Sequence, residues 1–370
     1  MNDQTVLDFN FILPTKIQNE IPANTVGLYI QSLIGISKSI AGCVFYNGQP
    51  LENVTISAKS KTFAPHPLAR YAPAFIANYV RDYKLFQCIS SPPSSFKEGA
   101  INFVFFVHQQ KLPQLTFDRK DTRLVCLFDE PPSFGDNFKT RFFYAKAKRT
   151  FLKDLNRFDS FWTYHGAATQ YVQKNVADAR ILTFPAMLDY SSPSSPEKLD
   201  IQYPLEVVMA SSFLPWHGTT EVLDFLQPLL AKKLIHLTFI GDGPSKAATV
   251  EKSKHFPGVK FIENLDFQAY KAELRHYDFG ILPMIPWFNS PLKLMDYVRA
   301  GIGVVTFESS AIQSIWPREA YMNVEEFTSV AENMSELSAI RRRTIHSATN
   351  HLKKNWGKEQ IEQHLIQLSK

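Results

Sequence analysis

The sequence holds only three cysteines in 370 residues, Cys43, Cys88 and Cys126, too far apart for a paired metal-ligand spacing and odd in number for a disulfide frame. They read as buried thiols of a reducing cytoplasm. No run approaches the roughly 18 consecutive apolar residues of a membrane-spanning helix, so none is expected. The opening stretch MNDQTVLDFNFILP carries acids and no basic n-region, which argues against a secretory signal. HExxH and Cys/His clusters are missing, and no GxSxG marks a hydrolase elbow. A Walker A loop is absent too, since GDGPSKAAT holds its lysine out of frame. Neither low-complexity tracts nor solenoid-type repeats occur. What is present is a globular composition, 45% hydrophobic and 13% aromatic, at a length suited to two or three domains.

Charge is unevenly spread. Residues 1–190 carry about +6 and the remainder about −1, which sum to the chain's +5. Much of the excess sits in KTRFFYAKAKRTFLKDLNRF, residues 139–158, where basic residues alternate with Phe142, Phe143, Phe151, Leu152 and Leu155. A basic helix with an aromatic face can lie on an anionic membrane, and peripheral contact there is one expectation. The other is an ordinary domain helix with its basic side in solvent. No nucleic-acid motif accompanies the charge, so no nucleic-acid partner is expected.

From residue 205 onward, apolar runs alternate with helical patterns. LEVVMASSF, LIHLTFI, GVKFIENL, DFGILPMI and GVVTF read as buried strands, and the segments between them as helices. Such alternation predicts a parallel sheet covered on both faces, a Rossmann-like domain. The first half has the same rhythm with less definition: INFVFFVHQ, TRLVCLFDE and DSFWT read as strands, and ARILTFPAML closes the series. Between the halves, DYSSPSSPEKLDIQYP is rich in Ser, Pro and charge and reads as a linker. The expected organisation is residues 1–190 as one Rossmann-like domain, 191–204 as linker and 205–370 as a second, with the last helix able to pack back on the first. Ligands of such sheets bind at the carboxyl ends of the strands, here facing a cleft between the two domains.

Four loops of the second half leave strand carboxyl ends. In SSFLPWHG, Ser211, Ser212 and His217 can donate to an anion, and Gly218 lets backbone approach. Gly241 and Gly243 of GDGP form a turn able to cradle phosphate, although such turns also merely reverse a chain. IENL, with Asn264 and Leu265, offers backbone groups to a base. The fourth is the head of NSPLKLMDYVRAGIGVVTF, where Ser290 can cap a helix and Pro291 suits its first position. Leu292, Met295 and Val298 fall on one side of that helix, Lys293 and Asp296 together on another. A helix start with free N–H groups is an anion site. Lysine and carboxylate beside it suit a phosphate and a ribose, whereas on a plain surface helix Lys293, Asp296 and Arg299 would only pair in water.

Region 205–308 resembles the donor-binding half of the GT-B glycosyltransferases, in particular glycosyltransferase family 4. The motifs that carry the resemblance are Phe213–Gly218, Ile240–Pro244, Val259–Phe261 and Ser290–Val305. The resemblance implies an α/β fold of two Rossmann-like domains and a nucleotide-diphosphate sugar as donor substrate, with no bound cofactor and no metal. Asp296 would hold the ribose hydroxyls. Lys293 and the amides around Ser290 and Pro291 would hold the diphosphate, with Ser211 or Ser212 and His217 assisting and Asn264 and Leu265 facing the base. One departure matters. Retaining members carry two glutamates spaced by seven residues; here Asp296 stands at the second position and Phe288 at the first, which leaves retaining and inverting chemistry both open.

An inverting displacement needs a base. Asp129 and Glu130 follow an apolar strand directly, and adjacent carboxylates raise one pKa by repulsion and desolvation. The arrangement is similar to bacterial exopolysaccharide glucuronosyltransferases; DEPP also fits a solvated turn. His108 and His165 end apparent strands and are the next candidates. The expected partners are a nucleotide-sugar donor and a glycan or glycolipid acceptor, met in the cytoplasm or at the inner membrane face. Two rival readings stand beside transfer: a sugar-nucleotide epimerase, and a non-catalytic nucleotide- or glycan-binding scaffold of a polysaccharide synthesis complex.

Overall fold

The computed structural model of the chain describes residues 9–12, 43–44, 101–105, 123–128, 152–153, 155–156, 158–163, 166–183, 200–214, 217–263, 265–282, 292–357, 359–360, 363–364 and 367. The chain divides into two compact units, Met1–Tyr190 with Ile361–Lys370, and Ser191–Gln360.

In the first unit the described strands are β1 (Phe9–Ile12), β2 (Cys43–Val44), β3 (Ile101–Phe105), β4 (Arg123–Phe128), β5 (Ser160–Thr163) and β6 (Arg180–Thr183). They form one sheet in the order β2-β1-β3-β4-β5-β6, every pair parallel. Helix α1 (Gly166–Asn175) joins β5 to β6 and buries Ala168 and Val172 against Cys126, Leu155, Phe158 and Phe161. Burial pushes the Cys126 thiol well above its ordinary pKa, as befits an inert core residue. Leu155 and Phe158 of the basic-aromatic stretch belong to this core, as the domain-helix reading expects for that end. Most of residues 139–158 lies outside the described residues.

The second unit follows the alternation read from the sequence. Its strands are β7 (Leu205–Ala210), β8 (Ile235–Ile240), β9 (Val259–Ile262), β10 (Phe279–Leu282), β11 (Gly303–Thr306) and β12 (Met322–Asn323). Helices α2 (Thr219–Ala231), α3 (Lys246–Ser253), α4 (Phe267–Glu273) and α5 (Leu292–Ala300) connect the first five strands; α6 (Ser310–Gln313), α7 (Val324–Val330) and α8 (Met334–Trp356) follow. The sheet runs β12-β11-β10-β7-β8-β9, again all parallel. β7, β8, β10 and β11 lie inside the sheet under helices, so they read as largely apolar runs, interrupted only by Glu206, His236, Thr238 and Thr306. Phe213, Phe239 and Phe261 meet in one layer of the core, with Phe239 and Phe261 stacked at 5.2 Å. Asp266 and Asn323 cap α4 and α7 by accepting from backbone N–H groups of the first turn.

Candidate functional site

In the second sheet the order of connection reverses at β7: β8 and β9 extend to one side, β10 to β12 to the other. Open parallel sheets bind ligands at this switch point, outside the strand carboxyl ends. The register shows how the crevice opens. β8 follows β7 as far as Ala210 opposite Ile240, whereas β10 pairs with it only at Val207 and Val208. Beyond Val208 the β10 side of β7 lacks a ladder partner, and helix α5 fills it. The Ala210 N–H donates to the Tyr297 hydroxyl at 2.9 Å, and Lys293 Nζ donates to the Ala210 carbonyl at 2.6 Å. Tyr297 reaches this position by lying on Gly280, where a Cβ would stand 2.3 Å from its ring.

Helix α5 differs from a surface helix with one apolar stripe. Leu294, Met295, Tyr297, Val298, Arg299 and Ala300 are all buried. Among residues 293–300 only Lys293 and Asp296 retain partial exposure. Arg299, which a plain surface helix would leave in water, is enclosed at 9% exposure. Two charges at i and i+3 therefore reach the surface through an otherwise buried element. Burial lowers Lys293 to a pKa of about 8, against the opposing pull of Asp296. Asp296 is raised to about 6 by burial, against Arg299, Lys293 and a hydrogen bond from Tyr270. Ser290 and Pro291, the expected cap and first position, lie outside the described residues.

The loop after β7 is held by its own polar groups. Ser211 is buried, accepts from Phe213 N at 2.9 Å and sits 2.9 Å from His217 Nδ1. The serine oxygen can accept a second hydrogen bond or donate its own proton, so this contact admits either tautomer; where Ser211 donates to Nδ1, the ring proton sits on Nε2. Burial and then Lys293 lower His217 to about 4, so the ring is neutral at pH 7. Phe213 takes φ 44°, a left-handed conformation that costs a non-glycine residue about 1–2 kcal/mol and is held here by its burial in the core. Ser212 is exposed, and Gly218, φ 65°, leads into α2.

Gly241 and Gly243 have a role that the sequence does not show. With φ of 126° and 151°, they let the two strand-end loops lie against each other: a Cβ would stand 2.0 Å from Ser211 O at Gly241 and 1.9 Å from Ser212 O at Gly243. In the next loop, Glu263 pairs with Lys246 of α3. Leu265 is partly buried, and Asn264 lies outside the described residues.

Ser211, Ser212, His217, Gly218, Gly241, Gly243, Leu265, Lys293 and Asp296 thus all sit on or beside the carboxyl-end loops of one sheet. The expected base residues Asp129 and Glu130 follow β4 but lie outside the described residues, as do His108, His165 and Phe288. Sequence reasoning missed Ala210, Tyr270 and Tyr297. Tyr297 stands four residues after Lys293, so helical spacing could have placed the two together; Ala210 acts through its backbone and leaves no signal. Among the described residues, no group of three His, Cys, Asp or Glu side chains is placed to hold a metal.

Residues 204–339 match the family model "Glycosyl transferases group 1", which bears out the resemblance read from the motifs. No curated protein matches the chain in sequence. Among solved structures, the UDP-forming α,α-trehalose-phosphate synthase of Burkholderia xenovorans is similar at a TM-score of 0.69 and 10% identity, over 98% of each chain. Anabaena HepE in complex with UDP-glucose gives 0.61 and 14%, again over 98% of each chain. S. aureus TarM, solved with UDP among its ligands, gives 0.55 and 11% over 73% of this chain. The chain spans about half the length of TarM, 55%. At these identities the likeness is one of fold: two Rossmann-like domains, as in the GT-B glycosyltransferases.

Proposed function

We propose that the chain is a GT-B glycosyltransferase moving a hexosyl group from a nucleoside-diphosphate sugar to a hydroxyl of a surface glycan or lipid-linked acceptor. The observation that carries this reading is the pair Lys293 and Asp296, open at the switch point beside the Ser211–His217 loop on a helix otherwise buried. In this reading the leaving diphosphate gathers negative charge as the glycosidic bond to it breaks. Lys293, the first N–H groups of α5 and the His217 ring N–H stabilise that charge, a task a metal performs in other folds, so no essential metal is required. Asp296 accepts from the ribose hydroxyls, and the loop of Asn264 and Leu265 faces the base. Asp129 or Glu130 takes the acceptor proton, with His108 and His165 next in line. The family match over residues 204–339 and the UDP-glucose bound to HepE support the donor side. No helix among the described residues is long and apolar enough to cross a membrane. Work in the cytoplasm, with peripheral contact through residues 139–158, belongs to the same proposal.

The test is a thermal-shift series of the purified chain with UDP, GDP, dTDP, CMP and ADP, each with and without EDTA. A rise in melting temperature with one nucleoside diphosphate, unchanged by EDTA, is expected. No shift with any of them overturns the donor-site reading, and a shift abolished by EDTA overturns metal independence.

A further inference from the structure

We infer that Tyr270 is a positioning residue that sets the ribose preference of the donor site through Asp296; the inference rests on the reading of Asp296 given above. Tyr270 lies in the first turn of α4, directly after the loop assigned to the base. Asp266 fixes the start of that helix by accepting from Gln268 N at 2.9 Å and Ala269 N at 2.8 Å. From there the Tyr270 hydroxyl reaches the next crossover and donates to Asp296 Oδ2 at 3.2 Å. This hydrogen bond is long for O–H···O, with room to tighten when a ligand draws the carboxylate.

A carboxylate has two oxygens, and the side-chain torsion that exchanges them is broad and soft. Donation to Oδ2 removes that freedom and leaves Oδ1 as the acceptor for a ligand hydroxyl. It also favours the ionised form, against the burial that raises the Asp296 pKa. Tyr270 is suited to be a permanent donor. Burial, and then the Asp296 charge, push its phenol well above the ordinary range, so it keeps its proton. One side chain thus links the loop that meets the base to the group that meets the sugar.

The experiment compares UDP, GDP and ADP with their 2′-deoxy counterparts by titration calorimetry, on the wild type, Tyr270→Phe, Tyr270→His and Asp296→Asn. The wild type should prefer one ribonucleotide over its 2′-deoxy form by about tenfold, the scale of one hydrogen bond to a charged group. Tyr270→Phe should shrink that ratio to within about threefold and leave the 2′-deoxy affinity unchanged. Tyr270→His, which keeps a ring donor, should retain part of the preference even if Tyr270→Phe proves too unstable to titrate. A purely structural Tyr270 would lower both affinities together. A wild-type preference that persists in Tyr270→Phe therefore overturns the inference, as does a wild type that binds ribo and 2′-deoxy forms equally. Should Asp296→Asn keep the full preference, the carboxylate is not the ribose contact and the donor-site reading fails as well. Absence of any binding by the wild type removes that reading first.

Discussion

The two ends of the second sheet handle buried charge in opposite ways. At the amino ends of the strands, Asp278 is fully buried and its Oδ2 accepts from Glu206 N at 2.9 Å. Arg341 of α8, 2% exposed, donates through Nε to the Asp278 carbonyl at 3.0 Å, and Gly303 N donates to the same carbonyl. These groups tie β7, β10, β11 and α8 together, and the Asp278 charge opposes the burial that lowers the Arg341 pKa. At the carboxyl ends, Lys293 spends its proton on a backbone carbonyl, while Asp296 and His217 are held away from their ordinary pKa values. A buried ion matched within the fold serves stability, whereas an ion left imperfectly matched at a strand-end crevice serves a ligand that completes it.

The sharpest way to break this contrast is to remove one cation from each end. Arg341→Met should cost about 3–5 kcal/mol of stability, because it removes the donor to the Asp278 carbonyl and a cation that the buried Asp278 charge favours. Nucleoside-diphosphate affinity of the protein that remains folded should not change. Lys293→Met should do the reverse. Turnover should fall by about 10²–10³-fold, the usual loss when one donor to a developing anion is removed. Its melting temperature should stay near the wild-type value, since the lysine is only partly buried and methionine keeps most of its apolar stem. Urea denaturation, nucleotide titration and a sugar-transfer rate assay read these axes, and a Lys293 variant that loses stability while keeping turnover would falsify the division.

How much of this contrast can be read from sequence depends on what kind of group carries it. The strands of the second sheet are legible because a central parallel strand is apolar at most positions; LEVVMA departs only at Glu206 and GVVT only at Thr306. Lys293 and Asp296 are legible because a charge inside an apolar helical run is conspicuous. The rest is hidden for physical reasons. Ala210 acts through its N–H and C=O, and any residue would present the same pair. Gly241 and Gly243 read as a phosphate turn, yet the requirement visible in the structure is the approach of the neighbouring loop; both needs select the same residue. Asp278 and Arg341, 63 residues apart, become partners only once the sheet is formed. In the first unit Asp129 and Glu130 rest on strand-end position alone, the weakest of these signals.

A pH titration sharpens the comparison with a smaller effect. Lys293, at about 8 in the ligand-free protein, is the group of the site that titrates just above neutrality. The titrating groups around it hold their state there: Asp296 is ionised above about 6, His217 is neutral above about 4 and Tyr270 stays protonated, while Arg299 and Lys271 are the other charges that act on Asp296. An anionic diphosphate favours the protonated lysine. Affinity should therefore be nearly flat from pH 7 to 8 and then fall, by up to about tenfold per unit. Lys293→Met should show no such fall. The contribution of Lys293 to stability runs the other way. Its folded-state pKa lies below the ordinary 10.5, so the unfolded chain binds more protons between about 8 and 10.5, and stability from this group rises with pH across that window. Opposite slopes for affinity and stability are the signature of a strained cation. Parallel slopes would mean that Lys293 is a structural ion like Arg341.

The smallest effect belongs to a pair that lies at the amino end yet lacks burial. Glu206 and His236 meet at 3.0 Å across β7 and β8, with side-chain exposures of 33% and 36%. Their neighbours in sequence and space include Asp278, so a view based on position alone would give Glu206→Gln a large cost. The argument from burial does not. Solvent screens the pair, glutamine still offers an oxygen to the ring, and Glu206 meets Asp278 through its own backbone N–H, which the substitution leaves in place. The expected change is under about 1 kcal/mol, the range of exposed ion pairs. Nucleotide affinity should be unchanged. A loss as large as that of Arg341→Met would mean that the whole amino end is one coupled polar network, and that location rather than enclosure decides what a charge does there.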